Sequence, residues 1–324
     1  MDVILPVAGL GTRLRPQTWS KPKPLVSLAG KTILEHVLDR VMPHDPAKLV
    51  FITGYLGDQI ESWARGTYEV PLAFVEQPEM LGQTDAIIRC RDICRDDALI
   101  LFPDMLFEAD FAGLAELPAD GVMYTKEVED PSALGIAVVE DGRIVKLIEK
   151  PAEPVSRLAV IGIYYIKHVP DLYDAIDEQM DRGIKTKNEY FIADAIQIMI
   201  DRGKTIVPKA VSVWEDCGNV EALLQTNHYL LDHDPPSPAQ RSGSVIVPPS
   251  FVSPEATLEN AVVGPYASIG AGVSVRFAIV RDAIVEDGAT IQNAVLEHSI
   301  VGRGADVSGQ PAHINVGDTS QVLL

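Results

Sequence analysis

The stretch Val3-Ile4-Leu5-Pro6-Val7-Ala8-Gly9-Leu10-Gly11-Thr12-Arg13 decides how the first part of the chain is read. A short apolar run stopped by two closely spaced glycines predicts a buried strand that hands over to a loop. Loops at strand ends are where α/β folds bind nucleotides. Glycine there removes the side chains that would keep a polyphosphate away from backbone N–H groups. Arg13 and Lys23 add positive charge. The longer string, with Pro16, Thr18 and Lys21-Pro22-Lys23-Pro24, lacks the Gly-Lys-Ser/Thr ending of a P-loop and the spacing of a dinucleotide fingerprint. A tight turn after a strand is the bland alternative reading.

Working outward, apolar residues at 33, 34, 37, 38 and 41 recur at helical spacing, and Leu49-Val50-Phe51-Ile52-Thr53 reads as a buried strand. A helix around Asp58 to Ala64, a strand at Leu72-Ala73-Phe74-Val75, a helix from Thr84 to Cys94 and a strand at Leu99-Ile100-Leu101-Phe102 continue the alternation. Repeated βα units predict an α/β fold, a mostly parallel Rossmann-like sheet with helices on both faces. Asp141-Gly142 between two apolar runs then signals a hairpin. Helices are expected at Tyr190 to Ile200 and at Ala222 to Leu231.

Asp234-Pro235-Pro236-Ser237-Pro238 breaks the pattern and reads as a linker. Beyond it, Val263, Ile269, Val275, Val280, Val285, Ile291, Leu296, Val301 and Val307 step by fives and sixes. Short steps of this kind predict a β-solenoid, with Gly264, Gly270, Gly272, Gly288, Gly302 and Gly304 at its corners. The pattern is similar to the hexapeptide repeats of left-handed parallel β-helices, and about three coils are expected; an ordinary β-rich subdomain is the alternative. The expected organisation is an α/β domain over 1–233, a linker over 234–242, the β-helix over 243–310 and a tail over 311–324.

The chain has 324 residues, with 46 acidic against 27 basic residues and a net charge of −19, which argues against a nucleic-acid or anionic-membrane partner. Cys90, Cys94 and Cys217 form no Cys-x-x-Cys pair, so reduced thiols and a cytoplasmic location are expected. No stretch has the length and apolarity of a membrane span or signal peptide.

The loop string resembles the signature of the sugar-1-phosphate nucleotidylyltransferases, most closely the glucose-1-phosphate thymidylyl- and uridylyltransferases. The resemblance implies that Ala8, Gly9, Gly11 and Thr12 wrap the triphosphate while Arg13 and Lys23 neutralise it; Lys21 receives no role. Pro103-Asp104 resembles the pair that follows a central strand in the family, where the Asp binds Mg²⁺. Asp216, within Trp214-Glu215-Asp216-Cys217-Gly218, resembles the second metal ligand; capping of the helix that begins near Asn219 is its other reading. A solvated loop acid is the other reading of Asp104. Gln77-Pro78 and Gly82 resemble the base-reading segment, and a glutamine amide offers a donor and an acceptor to a pyrimidine edge. Gly135, Glu149-Lys150-Pro151 and Gly162-Ile163-Tyr164 resemble the side that binds the sugar phosphate, which assigns Gly135, Glu149, Lys150 and Tyr164 to it. Asn188-Glu189 and Asp194 resemble a Gly-Glu and Thr-Asp segment with two departures, and their roles stay open. Thr32 replaces the usual proline, which touches helix entry rather than chemistry.

The implied reaction joins a nucleoside triphosphate, dTTP or UTP, to a sugar 1-phosphate such as glucose 1-phosphate, with Mg²⁺ as cofactor, in a homo-oligomer. The alternatives are a guanylyltransferase acting on mannose 1-phosphate, a regulatory homologue without activity, and a hexapeptide-repeat acyltransferase that would use His298 as its base.

Overall fold

A computed structural model describes residues 1–132, 134–151, 153, 155–234, 243–310, 315–316, 318–319 and 321. Nearly all of the expected linker and most of the tail lie outside the described residues. The chain forms two compact units, one of Met1–Val26 with Thr32–Gly218 and one of Ser27–Lys31 with Asn219–Leu324.

In the first unit the strand Asp2–Pro6 pairs in parallel with Lys48–Thr53 on one side and Ala98–Leu101 on the other, and Lys48–Thr53 pairs in parallel with Leu72–Glu76. They are part of a nine-stranded sheet. Its other half is mixed: Leu158–Ile166 runs antiparallel to Ala98–Leu101, Gly121–Glu127 and Gly135–Glu140, while Ile206–Ala210 lies parallel to Gly121–Glu127. The Asp141-Gly142 hairpin joins Gly135–Glu140 to Arg143–Glu149.

Strand alternation sends successive side chains to opposite faces. Ile4, Val50 and Ile52 pack with residues of the helices Gln83–Ile88, Val169–Asp181 and Ile192–Asp201, whereas Val3, Leu5, Leu49 and Phe51 pack with the helices Ile33–Val41 and Gly57–Thr67. Both faces are therefore covered, which is why these strands read as continuous apolar runs. Removing one such side chain, as in Ile4→Ala, costs about 3 kcal/mol.

One expectation changes here. The helix expected from Thr84 to Cys94 ends at Ile88, because Cys90, Arg91 and Ile93 donate to carbonyls only three residues back and the tightened turns bury both Cys90 and Cys94. Thr32 enters Ile33–Val41 as a working N-cap, its hydroxyl accepting from Glu35 N at 3.1 Å.

In the second unit short strands stack in parallel. Val245 faces Val262 and Val262 faces Ile279, a repeat of 17 residues; Ile279 faces Val295 and Thr290 faces Asp306, a repeat of 16. One stack is four strands high: Thr257–Glu259, Ser274–Arg276, Thr290–Gln292 and Asp306–Ser308. Val263, Ile269, Val275, Val280, Val285, Ile291 and Val301 are buried in its core, with Leu296 and Val307 packed against them.

Only some of the corners are glycine, contrary to expectation. Gly272, Gly288 and Gly304 hold one edge, with φ of 66°, 69° and 64°; Asn260, Phe277 and Asn293 hold a second and Tyr266, Asp282 and His298 a third, all at positive φ. Asparagine and aspartate tolerate this region because their short polar side chains bond locally, and His298 and Asp282 bond to one another (Nδ1 to Oδ2, 2.7 Å). The helix Val220–His233 belongs to this unit, and its cap is Asn219, which accepts from Ala222 N at 3.0 Å. Asp216 is not the cap.

Candidate active site

A cavity of about 340 Å³ opens where the parallel strands of the first unit end. It is lined by the loop after Pro6 (Val7, Ala8, Gly9, Gly11, Thr12, Arg13), by Lys23, by Gln77 and Gly82 after the strand Leu72–Glu76, and by Phe102, Pro103 and Asp104 after Ala98–Leu101. Gly11 turns the loop back on itself with φ of 60°, a left-handed conformation natural to glycine. A Cβ there would lie 3.0 Å from Lys23 Cβ and 3.1 Å from Thr18 Cγ2, and Thr18 Oγ1 donates to the Gly11 carbonyl at 2.7 Å. By contrast, a Cβ on Gly9 would meet nothing within 4 Å, so this glycine faces open space.

Lys23 is buried and pairs with Asp104, Nζ to Oδ2 at 3.3 Å. Asp216 reaches the same corner through an antiparallel pair of strands, Val213–Asp216 against Met105–Glu108, in which Asp216 faces Met105. Cys217 N donates to the Asp104 carbonyl at 3.0 Å, and Gly218 N to Asp216 Oδ1 at 2.8 Å. A side chain at Gly218 would meet both Asp216 Oδ1 (2.8 Å) and Arg13 Nη1 (3.2 Å), so the glycine leaves room where acid and guanidinium approach each other. Asp216 itself does not line the cavity; Gly218 does. No group of three or more metal-ligating side chains occurs among the described residues.

Gly135, Glu149, Lys150 and Tyr164 lie outside the lining and form a neighbouring cluster. Glu149 Oε1 pairs with Lys150 Nζ at 3.6 Å, and a Cβ on Gly135 would lie 2.7 Å from Glu149 Oε2. Burial pushes the Glu149 carboxyl above its ordinary range, with Lys150 opposing, and burial does the same to Asp194. The Tyr164 ring meets Phe102 edge-on at 6.2 Å, and Phe102 lines the cavity.

Sequence reasoning left Glu189 without a role and passed over Met80, Gln83 and Phe102, all of which line the cavity. Glu189 is held by a two-residue turn, Thr186 N to Glu189 O at 3.1 Å and back at 3.0 Å, with Lys187 and Asn188 at φ of 50° and 69°. Two consecutive positive φ values are the hairpin signature that asparagine and glycine share, so Asn188 serves where the family has glycine.

His298 is already engaged in the second unit. Nδ1 contacts Asp282 Oδ2 at 2.7 Å and Nε2 contacts Glu221 Oε2 at 2.8 Å. Bonds to Asp282 and Glu221 raise its pKa, so neither ring nitrogen is a free base, and the acyl-transfer reading loses its only histidine inside the repeats.

An α/β sheet with a loop-lined cavity at the ends of its parallel strands defines a class of proteins that hold their ligands there. The chain belongs to the nucleotidyl transferase family, whose model matches residues 2–233. It is 33% identical over 242 residues to the UTP–glucose-1-phosphate uridylyltransferase AglF of Haloferax volcanii, covering 69% of this chain and 97% of that protein. It is 26% identical to a glucose-1-phosphate thymidylyltransferase of Streptomyces griseus over 100% of this chain and 99% of the other. The bifunctional protein GlmU of Methanocaldococcus jannaschii is 32% identical over 72% of this chain, which spans only 55% of that relative. Among solved structures, UDP-glucose pyrophosphorylase complexed with UDP-glucose shares the fold, with a TM-score of 0.62 and 24% identity over 71% of this chain and 98% of the other. No helix among the described residues is long and apolar enough to cross a membrane.

Proposed function

We propose that this chain transfers a nucleotidyl group from UTP or dTTP to glucose 1-phosphate, releasing pyrophosphate and forming a nucleotide-sugar. The observation that carries this reading is the convergence of the glycine loop, Lys23 and Asp104 on one cavity whose wall also bears Gln77. The names of the uridylyl- and thymidylyltransferase relatives support the nucleotide and the sugar.

In this reaction a phosphate oxygen of the sugar 1-phosphate attacks the α-phosphorus, and the bond from that phosphorus to the bridging oxygen breaks, its electron pair leaving on pyrophosphate. The nucleophile is ionised at neutral pH, so no general base is needed. Ala8, Gly9, Gly11 and Thr12 present backbone to the triphosphate, and Arg13 and Lys23 neutralise the charge that builds on it. Gln77 and Gly82 face the base; Gly135, Glu149, Lys150 and Tyr164 hold the sugar phosphate. Asp104 and Asp216 suit Mg²⁺, which takes one or two carboxylates and fills its remaining positions with water and phosphate oxygens. That their strands are paired, with Cys217 N on the Asp104 carbonyl, supports their acting together. Bound there, Mg²⁺ would supply further charge neutralisation.

The domain over 1–233 carries the reaction and the region over 243–310 is a left-handed parallel β-helix through which the chain assembles as a homo-oligomer. The outward ladder of Val245, Ile279 and Val295, which are 57%, 40% and 67% exposed, supports assembly. A monomer at micromolar concentration in analytical ultracentrifugation would refute that part. Three buried cysteines, none of them in a disulfide, support work in the reducing cytoplasm. The deciding test is pyrophosphate release with Mg²⁺ across UTP, dTTP, GTP, ATP and CTP against glucose, galactose, mannose and N-acetylglucosamine 1-phosphates. Turnover confined to UTP or dTTP with glucose 1-phosphate is expected; turnover with GTP and mannose 1-phosphate would replace this reading, and a blank grid would end it.

A further inference from the structure

Behind Gln77 stands a residue that does not line the cavity. Gln77 is 4% exposed, and its Nε2 donates to the Gly82 carbonyl at 3.1 Å and to Asp85 Oδ2 at 2.9 Å. Asp85 is 6% exposed and is gripped by Arg89 one helical turn on: Nη2 lies 3.0 Å from Oδ1 and 3.3 Å from Oδ2, and Nε lies 3.4 Å from Oδ2. A carbonyl and an ionised carboxylate can only accept hydrogen bonds, so both hydrogens of the Gln77 amide are committed. Turning the amide over would set its oxygen against two other oxygens, so the sense of the amide is fixed. Gln77 Oε1 accepts from none of the described residues, and it is not among the buried side-chain atoms that lack a partner. It therefore keeps access to the cavity that Gln77 lines.

We propose that Asp85, locked by Arg89, fixes the sense of the Gln77 amide so that the cavity presents an acceptor alone, which selects bases with an imino N–H and rejects those without one. Uracil and thymine offer N3–H to such an acceptor; cytosine N3 and adenine N1 are themselves acceptors and meet Oε1 unfavourably. Asp85 is thus a positioning residue, acting on the base through Gln77. The inference rests on the reading of Gln77 as the group that faces the base. It says more than that reading does, because a glutamine free to turn would serve cytosine as well as uracil.

The test compares kcat/KM for the five nucleoside triphosphates, and their dissociation constants by calorimetry, in wild type, Asp85→Asn and Arg89→Gln. Wild type should favour UTP and dTTP over CTP and ATP. Asp85→Asn keeps the size of the side chain but offers a donor as well as an acceptor, which removes the charged one of the two acceptors that oppose the turn and so populates the reversed amide. The UTP:CTP ratio should fall by about tenfold or more, the worth of one hydrogen bond gained or lost. Arg89→Gln, at the partly exposed end of the pair, should move the ratio the same way, and Asp85→Glu should restore part of it. Equal losses on every nucleotide, with the ratio unchanged in both Asn and Gln variants, would mean a merely structural role and overturn the inference. Wild-type preference for CTP or ATP would overturn it as well. Preference for GTP would overturn the pyrimidine reading and leave the amide sense standing, because guanine N1 also carries a hydrogen. If turnover is absent but nucleotide binds, the transferase reading fails while the binding ratios still decide this one; binding of no nucleotide overturns both.

Discussion

Lys23 Nζ and Asp104 Oδ2 stand 3.3 Å apart across 81 residues of sequence, a cation and an anion at the mouth of one cavity. Lys23 is 9% exposed, whereas the Asp104 side chain is half-exposed. A pair of this kind is open to competition: in the proposed reaction a bound phosphate would draw Lys23 away and leave the half-exposed carboxylate to solvent or to a cation.

Lys23→Ala and Asp104→Asn should each raise the barrier to nucleotidyl transfer by about 3 kcal/mol, the scale of losing one charge aimed at the transition state. Their denaturation curves should stay close to wild type. Pyrophosphate release and urea unfolding measured side by side check this; near-normal turnover in either variant would remove that residue from the reaction.

Gly82→Ala should damage both stability and nucleotide binding. Gly82 has φ of 128°, and a Cβ there would stand 2.5 Å from both the N and the O of Tyr190. Backbone cannot yield as a flexible side chain would, so a loss of about 2–3 kcal/mol is expected in urea unfolding. A variant of wild-type stability would show that the strand-like contact to Tyr190 is dispensable.

Stability should depend on pH through the third corner of the second unit. Bonds to Asp282 and Glu221 raise the pKa of His298, so the stability it contributes is complete below its ordinary value of 6.5 and is lost as pH rises through the higher folded value. Burial pushes Asp282 up, but bonds from His298 and His228 outweigh it and hold the carboxyl below its ordinary 3.8. Glu221, bonded by His298 and Gln225, is held below 4.5. Their contributions are present above those ordinary values and are lost as pH falls through the lower folded ones. The network is therefore strongest between about pH 4.5 and 6.5. Denaturation midpoints measured from pH 4 to 9 should decline on the alkaline side in wild type, and His298→Gln should flatten that decline.

Asn219→Ala should cost about 1 kcal/mol by removing the cap of Val220–His233. Thermal denaturation reads this directly; no change would mean that solvent satisfies the Ala222 amide equally well.

The parallel strands were legible because they are buried on both faces, so Val3 to Leu5, Leu49 to Ile52 and Leu99 to Leu101 carry uninterrupted apolar runs. The loop from Gly9 to Arg13 was legible because its glycines and cations are close in sequence. Asp85 was not, since an acid followed four residues later by Arg89 looks like any exposed helical pair until the fold sets Gln77 against it. The corners of the second unit were half legible: glycine advertises positive φ, whereas Asp282 and His298 adopt it beside a mutual bond that exists only once the strands are stacked.

The short segment Ser27–Lys31 sets a limit on modular engineering. It follows Lys23 closely in the chain, yet it groups with the second unit, where Ser27 N donates to Glu286 Oε1 at 3.1 Å and Ala29 N to Asn227 Oδ1 at 3.2 Å. A side chain at Gly30 would collide with the Phe251 ring. The second unit is thus not a cassette that can be exchanged at one junction. A chimaera built by swapping everything after Gly218 would strand five N-terminal residues shaped for the unit that was removed, and it would need those five transplanted as well.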